Sequence, residues 1–559
     1  MGCSGNYFAL TVGNAAKLLK LVCATTNIRS ILLLLAVPAA CWAQNRCPRH
    51  PLESAVADPP AVFSNAGKLN VHLVYVTGTD DSGNTTFCFK TLDGRESPTL
   101  YLYPGDEVSL RVTNLVPPDA PGLPQMKMAP VMDMTPADDS AAKKCGASTM
   151  TNSSVNVHYH GTNVSPTCHS DEVIHTLVNS GETFEYRIKF PGDEPPGLYY
   201  YHPHVHGLSE AAVQGGATGL IVVRGIENLQ PAVAGLPQRL LIVRDYPMPK
   251  ELQPPAPENN VSLNYIPVPY PAYPPAVIHA KPLERQFWRV ANNSADTIID
   301  VELNYDGTPQ PLNVVALDGV ATGSQDGTRM GKIVRVKHLL IPTAGRAEFI
   351  MTTPGLDVQK AVLLTRYINT GEAGDSDPTR PLAVIDVRGS QGDEDLQTIP
   401  AFQHVSGRQR FEGLAEAPVT ARRHLYFSEK NEESQFFITV EGQQPKLFNP
   451  NNPPAIVTHQ GGVEEWTIEN RTEERHEFHI HQIHFLVMAE NGLPVSPSQR
   501  QFLDTVDVPA WSGTGRYPSV TVRMDFRGPD IGDFVYHCHI LEHEDGGMMA
   551  TIRVLPKEK

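Results

Sequence analysis

Four short segments gather most of the reactive side chains of this chain: His158-Tyr159-His160-Gly161, His202-Pro203-His204, His476-Glu477-Phe478-His479-Ile480-His481, and His537-Cys538-His539 followed by His543, Glu544 and Met548. Each contains a His-x-His pair. In an extended strand residues i and i+2 project from one face, so each pair offers two imidazoles side by side toward one target. Eight imidazoles exceed what one metal ion takes. They suit a multinuclear centre, since imidazole favours Zn, Cu, Fe and Ni.

The fourth segment serves two sites. Strand alternation sends His537 and His539 to one side and Cys538 to the other. Cys538, His543 and Met548 supply a thiolate, an imidazole and a thioether, and His476, the odd histidine of the third segment, completes the set. Two His, one Cys and a weak axial Met make a blue-copper electron-transfer site. Electrons leaving it pass through Cys538 and the adjoining backbone to His537 and His539. Structural zinc fits poorly, because such sites usually take several thiolates and only one cysteine stands among these histidines.

Strands must position these groups. Period-2 alternation recurs at Val71, Leu73, Tyr75; Val108, Leu110, Val112; Phe184, Tyr186, Ile188, Phe190; and Val520, Val522, Met524, Phe526. Turn signals such as Pro104-Gly105-Asp106 and Pro191-Gly192-Asp193 interrupt them, and no segment shows helical periodicity over several turns. The spacing predicts packed antiparallel sheets. Pro254 to Pro275 reads as a long loop, and the acidic run Gly389 to Asp395 as a linker. Divided near residues 230 and 400, the chain gives three similar β domains: 65–230, 231–400 and 401–559. At 559 residues it has room for them, and 41% hydrophobic residues supply their cores. The net charge of -16 repels nucleic acid phosphates, which argues against a nucleic-acid partner.

Lys17, Lys20 and Arg29 precede the apolar run Ile31 to Val37 and the small residues Ala39, Ala40 and Ala43, the order of an export signal with cleavage near Ala43. A signal over 1–43 makes the protein exported, periplasmic or secreted. Its apolar run is too short to span a bilayer, and no later stretch approaches about 18 apolar residues, so no membrane-spanning segment is expected after cleavage. With Cys3, Cys23 and Cys41 removed and Cys538 read as a ligand, Cys47, Cys88, Cys145 and Cys168 remain, an even number in an oxidising compartment. Chain order favours Cys47 with Cys88 and Cys145 with Cys168, although four cysteines allow three connectivities.

In order, spacing and residue type the four segments resemble the copper-binding motifs of the multicopper oxidases, in a laccase-like, three-domain bacterial form. The likeness extends over residues 65 to 557, through Tyr103-Pro104-Gly105-Asp106 and Leu317-Asp318-Gly319. It implies an all-β fold of three cupredoxin-like Greek-key sandwiches, with a trinuclear cluster between the first and third. It also implies four coppers per chain: one type 1, one type 2 and two type 3. Carried over position by position, His476, Cys538, His543 and Met548 resemble the type 1 ligands, and His158 and His479 the type 2 pair. His160, His202, His204, His481, His537 and His539 resemble the six type 3 ligands. Asp171 and Glu544 resemble the acids that feed protons to the cluster. His206, His484, His169 and His175 take surface or supporting positions.

The implied function is oxidation of a small-molecule reducing substrate, such as a phenol or aromatic amine, with dioxygen reduced to water. Two alternatives stand beside it: a cuprous, metal-ion oxidase acting in copper tolerance, and a copper-binding protein without turnover. Met126, Met128, Met132 and Met134 bear on the first, since thioethers select Cu(I). A bare carrier needs only one type 1 set. Copper nitrite reductase has two domains and no type 3 pair, against the eight paired histidines found here.

Overall fold

The computed structural model describes residues 47–557 apart from 125–144, 250–255, 324–329, 390–395, 402–409 and 431–433. The expected signal, the four clustered methionines and most of the acidic linker therefore lie outside the described residues.

Six sheets pair around three apolar cores. In the first pair the four-stranded sheet carries Lys68–Thr79, Thr85–Thr91, Glu107–Asn114 and Thr183–Lys189. Its inward residues Val71, Leu73, Val108, Leu110 and Tyr186 pack against Leu100, Tyr199, Tyr201 and Ile221 of a five-stranded sheet. Alternating side chains thus bury one face and leave the other to solvent, as the period-2 pattern requires. A second core joins Leu241, Trp288, Val290 and Phe349 to Val301, Leu363 and Ile385. The third joins Leu425, Trp466, Ile468 and Val522 to Phe478, Tyr536, Cys538 and Ile552. Among the described residues helices are short, as in Ser209–Gln214 and Leu541–Asp545.

The long loop expected over Pro254 to Pro275 is in part a hairpin. Asn259–Leu263 pairs antiparallel with Ile266–Val268 at a sheet edge. Val261, Leu263, Ile266 and Val268 are buried in the second core, and Asn264 and Tyr265 turn the chain with positive φ at both positions. This is the backbone of a tight two-residue hairpin. Proline density hid it, yet Pro267 sits in the edge strand, where a missing N–H is tolerated.

Strand pairing sets the histidines side by side. His158 lies opposite His202 in one antiparallel pair. His476–Ile480 runs between Thr505–Val508 and Gly532–Cys538, with His479 opposite His537 and Phe478 opposite Cys538. Disulfides join Cys47 to Cys88 and Cys145 to Cys168, in the pairing that chain order favoured, while Cys538 remains a buried thiol.

Candidate metal centre

Within the third sandwich, His476 Nδ1 and His543 Nδ1 lie 3.0 Å apart, and each is 3.6 Å from Cys538 Sγ. The far ring nitrogens are held from outside: Thr472 Oγ1 is 2.8 Å from His476 Nε2, and Glu474 Oε1 is 2.9 Å from His543 Nε2. Both rings therefore turn Nδ1 toward the sulfur. The Glu477 backbone N–H donates to Sγ at 3.4 Å, a contact that favours a thiolate. Met548 is fully buried in the same core, and its carbonyl accepts from the Cys538 N–H at 3.1 Å.

Burial pushes the Cys538 thiol up, partly opposed by His543. Burial, with His543 beside it, holds His476 down at about 3. For Glu474 burial acts upward, but the His543 imidazole outweighs it and holds the carboxyl at about 2. Two nitrogens and one sulfur converge, as a copper ion of the blue type requires.

The second set lies on the other face of the same strand. His204, His481 and His537 bring their Nε2 atoms within 3.1–3.3 Å of one another. His158 stacks on His481 at 3.7 Å and His160 on His479 at 4.0 Å, while His539 stands edge-on to His160 at 4.9 Å. His158, His160 and His202 form a further compact trio.

Most of these rings have one nitrogen anchored. His158 Nδ1 donates to Asp171 (3.0 Å), His160 Nε2 to Asp504 (3.1 Å) and His202 Nδ1 to the Pro203 carbonyl (2.9 Å). His479 Nδ1 donates to the Asp504 carbonyl (2.7 Å) and His537 Nδ1 to that of Cys538 (2.8 Å). The opposite atoms, His158 Nε2, His160 Nδ1, His202 Nε2 and His479 Nε2, are buried without a partner among the described residues. Orphaned buried nitrogens cost about 1–3 kcal/mol each, so four aimed into one space are better explained by ligation than by packing. Burial first, then mutual repulsion, keeps the rings neutral, the state in which imidazole binds metal. Their donor chemistry fits copper in both sets.

The two acids sit where chemistry could use them. Asp171 also accepts from the Tyr159 N–H at 3.0 Å. Glu544 Oε2 lies 3.1 Å from His537 Nδ1, and Oε1 lies 3.7 Å from His204 Nδ1. Burial raises both carboxyls well above their ordinary values. His169 stacks on Phe184, and His175 pairs with Glu172. His484 is a buried support, 2.8 Å from the Asp318 carbonyl.

Sequence reasoning missed Asp504, Arg346, Asp318, Glu474 and Thr343. Arg346 Nη1 donates to Asp504 Oδ1 at 2.8 Å and lies 3.5 Å from Asp318. The Thr343 N–H donates to Glu477 at 2.9 Å, and its hydroxyl bonds the His539 carbonyl at 2.5 Å. Asp318, Thr343 and Arg346 hold the histidines from the middle sandwich. Only Leu317-Asp318-Gly319 carried a signal, as part of the family likeness.

Two family models, each described as multicopper oxidase, match residues 148–227 and 417–558, the segments that hold all four histidine clusters. The multicopper oxidase mco of Staphylococcus aureus is 31% identical over 121 residues, a match that covers 21% of this chain and 24% of that protein. The chain thus spans about a quarter of that relative. The laccase of Bacillus subtilis (strain 168) is 23% identical over 421 residues, covering 66% of this chain and 73% of that protein. In fold, the chain is similar to the 2F4 variant of McoA multicopper oxidase from the hyperthermophile Aquifex aeolicus. The TM-score is 0.65 at 19% identity, over 90% of this chain and all of that one. The three two-sheet cores are accordingly cupredoxin-like sandwiches. One mixed cysteine–histidine set and one all-imidazole set are thus built on the two segments of this chain that match multicopper oxidase models.

Proposed function

We propose that the chain is a copper-dependent oxidase that takes single electrons from a reducing substrate and passes them to dioxygen, yielding water. The observation that carries this is the shared strand: Cys538 of the cysteine–histidine set stands between His537 and His539 of the imidazole set, so one backbone segment joins both. His476, Cys538, His543 and Met548 would hold a type 1 copper. His158 and His479 would hold type 2, and His160, His202, His204, His481, His537 and His539 the type 3 pair. Copper supplies one-electron chemistry at the first set and, at the second, the four-electron reduction of dioxygen.

The protein's own groups set the conditions. Burial of the imidazoles excludes water and keeps them unprotonated. Asp171 and Glu544, whose carboxyls burial pushes up, lie within hydrogen-bond reach of His158 and His537 and would relay protons to the product oxygen. The three domains would be 65–230, 231–400 and 401–559. Export is supported by the two disulfides, which persist in oxidising compartments. Among the described residues no helix is long and apolar enough to cross a membrane.

Phenols and aromatic amines are the proposed substrates, with cuprous ion the second reading through the four clustered methionines. The test is copper analysis combined with dioxygen uptake on all three substrate classes. About four coppers per chain, a blue band lost in Cys538→Ser and turnover on at least one class are expected. One copper, zinc alone, or no uptake overturns the proposal.

A further inference from the structure

His206 belongs to neither metal set. Its side chain is buried, only 8% exposed, and among the described residues neither Nδ1 nor Nε2 has a hydrogen-bond partner. The ring stands edge-on to Phe448 at 4.9 Å. A buried imidazole with both nitrogens unpartnered gives up the hydrogen bonds that water supplied in the unfolded chain, and a native structure rarely leaves such a group unexplained.

His206 lines a cavity of about 10 Å³, room for roughly one water-sized body. Two buried methionines, Met150 and Met549, line it as well. Three separate segments bring these side chains together. Met150 lies in the loop closed by the Cys145–Cys168 disulfide, His206 precedes the helix Ser209–Gln214, and Met549 opens the strand Met549–Leu555, where it pairs with His537. His204 closes one wall with its Nε2 directed to His481 and His537, and the remaining walls, among them Val173 and Ile174, are apolar.

The choice of occupant follows from this lining. A buried water makes about three hydrogen bonds, and of the two lining imidazoles only His206 has unpartnered nitrogens, since His204 turns its Nε2 to His481 and His537. A soft monovalent cation gains an imidazole and two polarisable thioethers, the donor set that selects Cu(I). We propose that His206, Met150 and Met549 form an additional site for one soft monovalent cation, cuprous ion, behind His204 and separate from the two sets already described. Binding needs no redox change and no proton release, and it does not depend on the oxidase proposal.

Silver(I), which matches the ligand preference of Cu(I) without its redox chemistry, is the probe. Crystals of the copper-loaded protein soaked in Ag(I) should show an anomalous peak in this cavity. In solution, the Met150→Leu/Met549→Leu variant should bind one Ag(I) fewer per chain than the parent, as should His206→Leu. The Met-to-Leu changes conserve volume, and an unchanged thermal midpoint checks that folding is retained. A cavity without silver in the soaked crystal, or identical Ag(I) binding by parent and double variant, overturns the proposal.

Discussion

Asp504 ties the imidazole set to the middle sandwich, and Asp504→Asn separates what it does for stability from what it does for metal. Its Oδ1 accepts from His160 Nε2 (3.1 Å) and Arg346 Nη1 (2.8 Å), Oδ2 pairs with Arg346 Nη2, and all of these groups are buried. Burial acts to lower Arg346, but Asp504 and Asp318 more than reverse it, so the guanidinium is firmly charged. Removing one partner of a buried ion pair costs about 3–5 kcal/mol. Asp318 remains 3.5 Å from Arg346, which places the expected loss near the lower end, about 3 kcal/mol. Separately, His160 loses the charged acceptor that points Nδ1 inward, and loss of such a support typically costs about 10–100-fold in metal affinity. Urea midpoints of the apoprotein read the first effect. Copper retained against a graded chelator, with the near-ultraviolet absorption of the coupled copper pair that His160 would serve, reads the second. Asp504→Asn/Arg346→Met removes both charges, and it should recover most of the apoprotein stability without recovering copper retention. Parental copper retention in Asp504→Asn refutes the positioning role, and equal destabilisation of single and double variants refutes the ion-pair argument.

Met548→Leu should raise the midpoint potential of the copper bound at Cys538, because the axial ligand tunes that potential; redox titration of the blue band showing a fall or no change would remove Met548 from the ligand set. Glu544→Gln keeps a polar group beside His537 and His204 and removes a protonatable one, so dioxygen reduction should slow while copper content holds; normal turnover contradicts a proton role. The Glu194 carboxyl, which accepts from Asn163 Nδ2 at 3.0 Å, is pushed by burial from 4.5 up to about 7. Its folded pKa is raised, so its stabilising contribution is complete below about pH 4.5 and is lost as pH rises through about 7, a change of roughly 3 kcal/mol. Glu194→Gln should flatten the stability profile of the apoprotein across that window, and an unchanged slope refutes the assignment.

The histidine pairs were legible because a strand has a fixed period. His158 with His160, or His537 with His539, must share a face, and one residue of displacement must send Cys538 the other way. The sheets were legible for the same reason, through alternations such as Val520, Val522 and Met524, which pack in the third core. What stayed hidden depends on contacts between distant segments. Asp504 and His160 are 344 residues apart, and nothing local to Leu503-Asp504-Thr505 marks its carboxylate as a histidine support. Arg346 lies in the sandwich that carries none of the four histidine clusters, so no motif search finds it.

Gly161 shows how far that hidden layer reaches into the visible motif. The glycine closing His158-Tyr159-His160-Gly161 has φ +77°, and a Cβ there would stand 2.4 Å from both Arg346 Nη2 and Asp504 Oδ2. Both atoms belong to a buried ion pair that cannot give way cheaply, so any side chain at 161 must strain the backbone and part the charges together. The middle sandwich thereby constrains a position in the first histidine motif without contributing a histidine to it. It supplies Arg346 to fix Asp504, which fixes His160 and His479, and Thr343 to fix Glu477, whose N–H meets Cys538 Sγ. The sandwich that carries none of the four histidine clusters thus holds both side-chain sets in place, which gives a physical reason for three sandwiches where the clusters alone occupy two.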